Sequence, residues 1–257
     1  MNMIDKMFIN KNKNILSIYF TAGYPKLEST KKIIRILQKY GVDLIEVGIP
    51  YSDALADGTI IQDRSKKSLI NGMNIEKLFA QLQCIKKELY IPIIFMGYYN
   101  SFLRFGEESF LSKCKHSGIS GLIFPDIPAY IFKEKYQDLL KKYGLYFILL
   151  VTNNTPIERI FNLSSLSEGF LYLVSSTSTT GKKITFENKK YEFLTCIHRK
   201  IKLKIPKLIG FGISNKESFH WSCLNSEGAI IGSYFIKALD EHDIEVNIQR
   251  FIQSILS

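Results

Sequence analysis

Eight short, β-branched apolar runs separated by amphipathic segments, in a chain of 257 residues, predict an α/β protein: a single (β/α)8 TIM barrel with an extra N-terminal helix. The strand–helix alternation comes first, since period-2 or wholly apolar runs and 3.6-period segments follow one another along the chain. Length agrees, at about 32 residues per unit, the size of a βα repeat. The runs are apolar on both faces, as strands of a parallel sheet covered by helices must be. A doubly wound open sheet satisfies the same alternation. No composition break divides the chain, so residues 1–257 read as one domain.

The candidate strands are residues 16–22, 42–48, 91–97, 121–125, 146–152, 170–175, 207–212 and 229–232. Ahead of the first, Ile4, Met7 and Phe8 form an amphipathic turn placed to plug the bottom of the structure. The first connecting helix uses Ile33, Ile34, Leu37 and Tyr40. Asn74 is placed to cap a helix whose Ile75, Leu78, Phe79, Leu82 and Ile85 make one buried stripe. Thr155-Pro156-Ile157-Glu158 reads as a capping box with proline at the first helical position, ahead of Ile160 and Phe161.

Composition narrows the function classes. Hydrophobic residues make up 46% and charged residues 23%, ordinary values for a globular enzyme. The net charge of +10 raises a nucleic-acid partner. Its basic pairs (Lys31-Lys32, Lys66-Lys67, Lys86-Lys87, Arg199-Lys200) are instead scattered over helix faces without interleaved aromatics, and no nucleic-acid role is expected. Cys84, Cys114, Cys196 and Cys223 form no C-x-x-C pair, and His116, His198, His220 and His242 have no metal-ligand spacing, so no metal is expected. Without an apolar run long enough for a membrane span or a secretory leader, the expectation is a reduced, cytoplasmic protein.

In an eight-fold barrel the chemistry sits at the C-terminal ends of the strands, with phosphate often held after strands seven and eight. The seventh run ends in Gly210-Phe211-Gly212 and the eighth lies in Gly228–Ser233. Glycines there let backbone N–H groups approach an anion, although a lone glycine would only mark a turn. Glu46, inside an apolar strand, shares its face with Leu44 and Val42 by parity. It is either a carboxyl in the barrel mouth, kept protonated by desolvation and able to act as an acid, or a carboxylate at a surface strand end. Asp53 and Asp57 in the following loop are candidates for a second carboxylate, and two acids in different environments can divide acid and base duties. Asp53 alternatively caps a turn.

Glu46-Val-Gly-Ile-Pro50-Tyr-Ser52-Asp53-Ala-Leu-Ala56-Asp57-Gly58 resembles the E-x-G-x-P-[FY]-S-D-P-x-A-D-G signature of tryptophan synthase α subunits. Phe20–Pro25, Gln62, Met96–Asn100, Pro125–Pro128, Tyr172, Thr180-Gly181, Gly210–Ser214 and Gly228–Ser233 extend the likeness in order over about residues 15–240. The resemblance implies retro-aldol cleavage of indole-3-glycerol phosphate to indole and glyceraldehyde 3-phosphate. It makes Glu46 the acid that protonates indole C3 and Asp57 the carboxylate that interacts with the indole N–H. It further implies that Tyr172 lies beside the substrate and that Gly181, Gly212, Gly232 and Ser233 bind its phosphate. By the same resemblance, Tyr19, Tyr98, Ile123 and Ile230 are expected to line the indole slot, and Thr180 to belong to a loop that closes over Asp57. The implied partner is a pyridoxal-phosphate-dependent β subunit in an α2β2 tetramer, faced by Pro50 and Asp53. Pyridoxal phosphate is expected only in that partner, and no cofactor in this chain.

The likeness has departures. Ala54 and Thr59 stand where the family has prolines, and Ser178 where many members have glycine. Proline restricts φ, so these changes predict a less preorganised loop around Asp57 and a slow or partner-dependent enzyme. Two further readings stay open: a non-catalytic α-type barrel that only activates a β partner, and another phosphate-binding barrel isomerase.

Overall fold

The computed structural model describes residues 1–174, 193–194, 197, 203–210, 212–239 and 243–257. Thr180, Gly181 and Ser178 lie outside these residues. Nine strand segments form one parallel sheet: β1 (Ile15–Thr21), β2 (Leu44–Gly48), β3 (Ile93–Met96), β4 (Gly121–Ile123), β5 (Tyr146–Phe147), β6 (Leu150–Thr152), β7 (Leu171–Val174), β8 (Lys207–Gly210) and β9 (Gly228–Ile231). Their order is β5-β4-β3-β2-β1-β9-β8-β7-β6.

The two ends of that order are one stretch of chain. The Ile148 N–H donates to the Leu122 carbonyl at 3.0 Å, and the Tyr172 N–H donates to the Leu149 carbonyl at 3.0 Å. The single strand expected over residues 146–152 therefore bonds to β4 in its first half and to β7 in its second. The sheet closes into a barrel through it, which removes every open edge. The eight sequence runs and the nine segments are the same architecture, a (β/α)8 barrel.

Alternation along each strand sorts the side chains into two apolar layers. Ile15, Leu44, Ile94, Ile123, Ile148, Phe170, Leu208 and Ile230 fill the barrel interior. Leu16, Ile18, Phe20, Ile45, Val47, Ile93 and Phe95 face outward into the helical layer. The N-terminal helix (Met3–Asn10) packs Ile4 and Met7 into the interior cluster, closing the bottom as its spacing predicts. Asn2 caps it, accepting the Ile4 N–H at 2.9 Å.

The helix Ser29–Lys39 buries Ile33, Ile34 and Leu37. In the helix Ile75–Ile85, Asn74 accepts the Lys77 N–H at 2.8 Å, the expected cap. Two local expectations are corrected. The Thr155 hydroxyl accepts the Thr152 N–H at 3.0 Å, so it is spent on the preceding turn. The helix Ile157–Leu166 then starts after Pro156 with no side-chain cap. Val42 does not share the face of Leu44 and Glu46: it precedes the strand, its N–H bonds back to Leu37, and it packs in the outer layer.

Candidate active site

Two acids sit at the carboxyl-terminal end of the barrel. Glu46 belongs to β2, in register with Tyr19 of β1 and Ile94 of β3, and it has no solvent exposure. Burial pushes its carboxyl up to about 8, against a smaller lowering by the Ser17 hydroxyl. That hydroxyl donates to Oε1 at 2.8 Å, while Oε2 is buried without a hydrogen-bond partner. A carboxyl in such a place holds its proton at neutral pH because ionisation would leave a charge in an apolar medium. Of the two sequence readings for Glu46, the interior one holds.

Asp57 lies on the loop between β2 and the helix Thr59–Ile70 and is 7% exposed. Burial raises its carboxyl to about 6, and a hydrogen bond from Tyr98 opposes the rise. The Tyr98 hydroxyl donates to Oδ2 at 3.1 Å and accepts the Ala56 N–H at 3.0 Å, tying the loop to the end of β3. Tyr51 stacks on the Tyr98 ring with centroids 5.0 Å apart. Gln62 donates to the Asp57 carbonyl at 2.8 Å, and the Asp57 N–H bonds to Ala54 at 3.1 Å. These bonds hold the loop where the family pattern has prolines. Ala54 is buried, and Thr59 opens the helix at a position that proline also suits. Asp53 is exposed and accepts from the Ser52 hydroxyl at 2.6 Å, so the second buried acid is Asp57 and not Asp53. Pro50 is buried beneath the loop, and Leu55 at its tip is 85% exposed.

A cavity of about 170 Å³ opens at this end of the barrel, walled by Asp57, Tyr19, Tyr172, Ile230 and the backbone of Gly212 and Gly232, with Ser233 beside them. Ile61, Met96, Ile213 and Tyr234 complete its lining. It shares Met96, Gly212 and Ser233 with a larger space of about 880 Å³ toward Thr152, Asn154 and Arg159. One side is thus apolar and aromatic. The other presents backbone: Gly212 adopts φ 76°, the left-handed conformation that glycine tolerates, and the helix Ser233–Ala238 begins at Gly232. The leading N–H groups of a helix have no acceptor within it, so they can serve an anion.

Tyr19 and Tyr172 line this space and both neighbour Glu46. Burial raises both phenols well above their usual range, so they remain neutral. Gly48 makes room for the first: a Cβ there would lie 2.3 Å from the Tyr19 hydroxyl. Of the residues singled out in the sequence, Tyr19, Asp57, Tyr172, Gly212, Ile230, Gly232 and Ser233 line one cavity. Glu46 pairs across the β1–β2 register with Tyr19 of that lining, Tyr98 braces Asp57, and Ile123 sits deeper in the interior cluster. Ile61, Met96, Ile213 and Tyr234 gave no separate signal, because an apolar or aromatic residue reads the same in sequence whether it faces a ligand or the core.

A closed parallel barrel with a buried acid pair at its strand ends, an aromatic slot and backbone donors defines a (β/α)8-barrel protein suited to acid–base chemistry on a small, partly apolar anion. The family model described as tryptophan synthase alpha chain matches residues 6–255. The chain is 51% identical over 256 residues to the tryptophan synthase alpha chain of Karelsulcia muelleri (strain GWSS), covering 100% of both. It is 47% identical to that of Flavobacterium psychrophilum, over 99% of this chain and 100% of the relative. Among solved structures, tryptophan synthase subunit alpha from Legionella pneumophila superposes with a TM-score of 0.86 at 28% identity, covering 99% of this chain and 97% of that one. A chain of the tryptophan synthase complex from Pyrococcus furiosus gives 0.85 at 28% identity, covering 95% of this chain and 98% of that one. This chain belongs to the tryptophan synthase alpha chain family.

Proposed function

We propose that the chain cleaves indole-3-glycerol phosphate to indole and glyceraldehyde 3-phosphate, acting over its whole length as one catalytic domain. The observation that carries this reading is the pairing of two differently poised acids: Glu46, raised to about 8, and Asp57, raised only to about 6. At neutral pH the first is largely an acid and the second largely a carboxylate. That is the division the retro-aldol reaction needs.

Glu46 delivers its proton to indole C3, and the positive charge that results is shared with the indole nitrogen. The Asp57 carboxylate on the cavity wall takes a hydrogen bond from the indole N–H and stabilises that charge. The hydroxyl on the glycerol carbon attached to C3 then loses its proton. Its oxygen becomes the aldehyde oxygen as the carbon–carbon bond breaks and the electron pair returns to the indole. The Glu46 carboxylate left by the first transfer is a base able to take that proton. Tyr19, Met96, Tyr172 and Ile230 supply the apolar slot, and Gly212, Gly232 and Ser233 the backbone donors for the phosphate. Ile123 supports the floor of the slot, and the resemblance implies that Thr180 and Gly181, outside the described residues, contact the substrate.

The reading includes a partner. The Pyrococcus furiosus relative sits in a tryptophan synthase complex, which supports an α2β2 assembly in which indole passes to a β subunit. The exposed Asp53 and Leu55, carried on buried Pro50, form the partner-facing side of the Asp57 loop. Pyridoxal phosphate belongs to that partner, and this chain acts without a cofactor. No described helix is long and apolar enough to cross a membrane, consistent with work in the cytoplasm.

Indole release from indole-3-glycerol phosphate, measured with and without a cognate β subunit, tests the reading. Release that rises with the partner and is lost in Glu46→Gln and Asp57→Asn is expected. Absence of indole from a folded chain with its partner would leave an activator without catalysis.

A further inference from the structure

The interior face of β1 carries Ile15, Ser17 and Tyr19 in turn, and Ser17 is fully buried. Its in-register neighbours are Leu44 on β2 and Ile230 on β9, both apolar. A hydroxyl in that setting loses its hydration and must find a partner within the protein. Its partner is Glu46, two residues along β2 from Leu44, at 2.8 Å.

We propose that Ser17 is a positioning residue for the proton-donating carboxyl: its hydroxyl anchors Glu46 Oε1 and leaves Oε2 as the oxygen that exchanges a proton with the substrate. The proposal rests on the lyase reading for the role of Glu46. Its geometry is asymmetric, since one carboxyl oxygen is anchored and the other is buried with no partner of its own. When the Oε2 proton moves to carbon, negative charge develops on the carboxyl. A donor already in place meets that charge without any reorganisation. Ser17 thus makes Glu46 a stronger acid while barring the rotation that would turn Oε2 away.

Few other groups compete for this effect. Among the described residues, the titratable side chains that feel Glu46 are Tyr19 from β1 and Tyr172 from β7, both neutral over any working range. Asp57 lies beyond them on the cavity wall and titrates lower. From β3, β4, β8 and β9 the interior residues are Ile94 with Met96, Ile123, Leu208 and Ile230, and from the 146–152 strand Tyr146, Ile148 and Leu150; the Tyr146 hydroxyl donates to Asp5 of the N-terminal helix and, raised by burial, stays neutral.

The test reads the carboxyl directly. A 13C NMR titration of Glu46, without substrate, is run on the wild-type chain, Ser17→Ala and Ser17→Thr, beside pH profiles of indole release. In Ser17→Ala the Glu46 midpoint should rise by about one unit and kcat fall about tenfold, the scale of a lost hydrogen bond to a developing charge. The basic limb of the profile should move up with the midpoint, because activity needs the protonated acid. Ser17→Thr, which keeps the hydroxyl, should restore the midpoint. An unmoved midpoint in Ser17→Ala, or a Ser17→Thr chain that folds yet titrates like the alanine variant, overturns the proposal. Since the midpoint is read without turnover, a wild-type chain that makes no indole would sink the lyase reading separately.

Discussion

Replacing Glu46 by glutamine should stabilise the fold, by an amount that grows with pH. The native carboxyl titrates near 8, against an ordinary value of 4.5. A folded-state pKa raised above the unfolded one means that the native state binds the proton more tightly. Stability is therefore fully present below pH 4.5 and is lost as pH climbs to 8. Each unit is worth about 1.4 kcal/mol. The carboxyl should then cost about 3 kcal/mol at pH 7 and a ceiling of about 5 kcal/mol above pH 8. Glutamine is nearly isosteric, never ionises and still offers an oxygen to the Ser17 hydroxyl. The variant should match the wild type near pH 4.5 and pull ahead above it, by up to about 6–12 °C in Tm at pH 7. Urea unfolding of both chains at half-unit steps from pH 4.5 to 9 measures the difference. A constant offset across that range, or no gain at all, would refute the claim that Glu46 sits in a dry site. The same exchange should abolish indole release, separating what the acid does for catalysis from what it costs the fold.

Three further outcomes follow from the site. Tyr98→Phe removes the donor that lowers the Asp57 pKa; because the ionised form is the useful one, the acidic limb of the indole-release profile should rise by about one unit. An acidic limb that stays near 6 would show that Asp57 does not govern it. Gly48→Ala would set a methyl group 2.3 Å from the Tyr19 hydroxyl; the displaced ring should narrow the cavity and raise KM for indole-3-glycerol phosphate at least about tenfold, a cost typical of overpacking. Thr59→Pro, at the first helical position, should stabilise the chain by about 0.5–1 kcal/mol in thermal unfolding. If the Asp57 loop lacks preorganisation, pairing that change with Ala54→Pro should also speed indole release; no gain in rate would show that the bonds from Tyr98 and Gln62 already hold the loop.

Much of this protein is local in origin. Periodicity alone marks the strands and the main helices, because a buried face repeats every second residue in one and about every 3.6 in the other. The Asn74 cap follows from an asparagine ahead of an apolar stripe. The stretch from Glu46 to Gly58, with the glycines at 212 and 232, is likewise legible as linear text: it offers Glu46 with Asp53 or Asp57 as candidate acids, and the family resemblance points to Glu46 and Asp57. The serine among apolar residues 15–20, at the same parity as Tyr19, is a further local signal of a polar group on the interior face.

What lay beyond the sequence depends on which strands become neighbours. Parity leaves Glu46 either inside the barrel mouth or at a surface strand end; the closed sheet buries it, and only the β1–β2 register brings it to Ser17, 29 positions away in the chain. The Asp57–Tyr98 bond joins residues 41 apart and settles the choice between Asp53 and Asp57 as the buried acid. Thr155 carries the letters of a capping box, yet the Thr152 N–H claims its hydroxyl first. Closure, too, was undecidable from alternation, since an open sheet and a barrel share one pattern of apolar runs. It was decided where the 146–152 strand changes partner from β4 to β7. Sequence pattern determines which face each side chain turns inward; the non-local pairing of strands determines what it meets there, and for a buried acid that meeting sets the proton affinity.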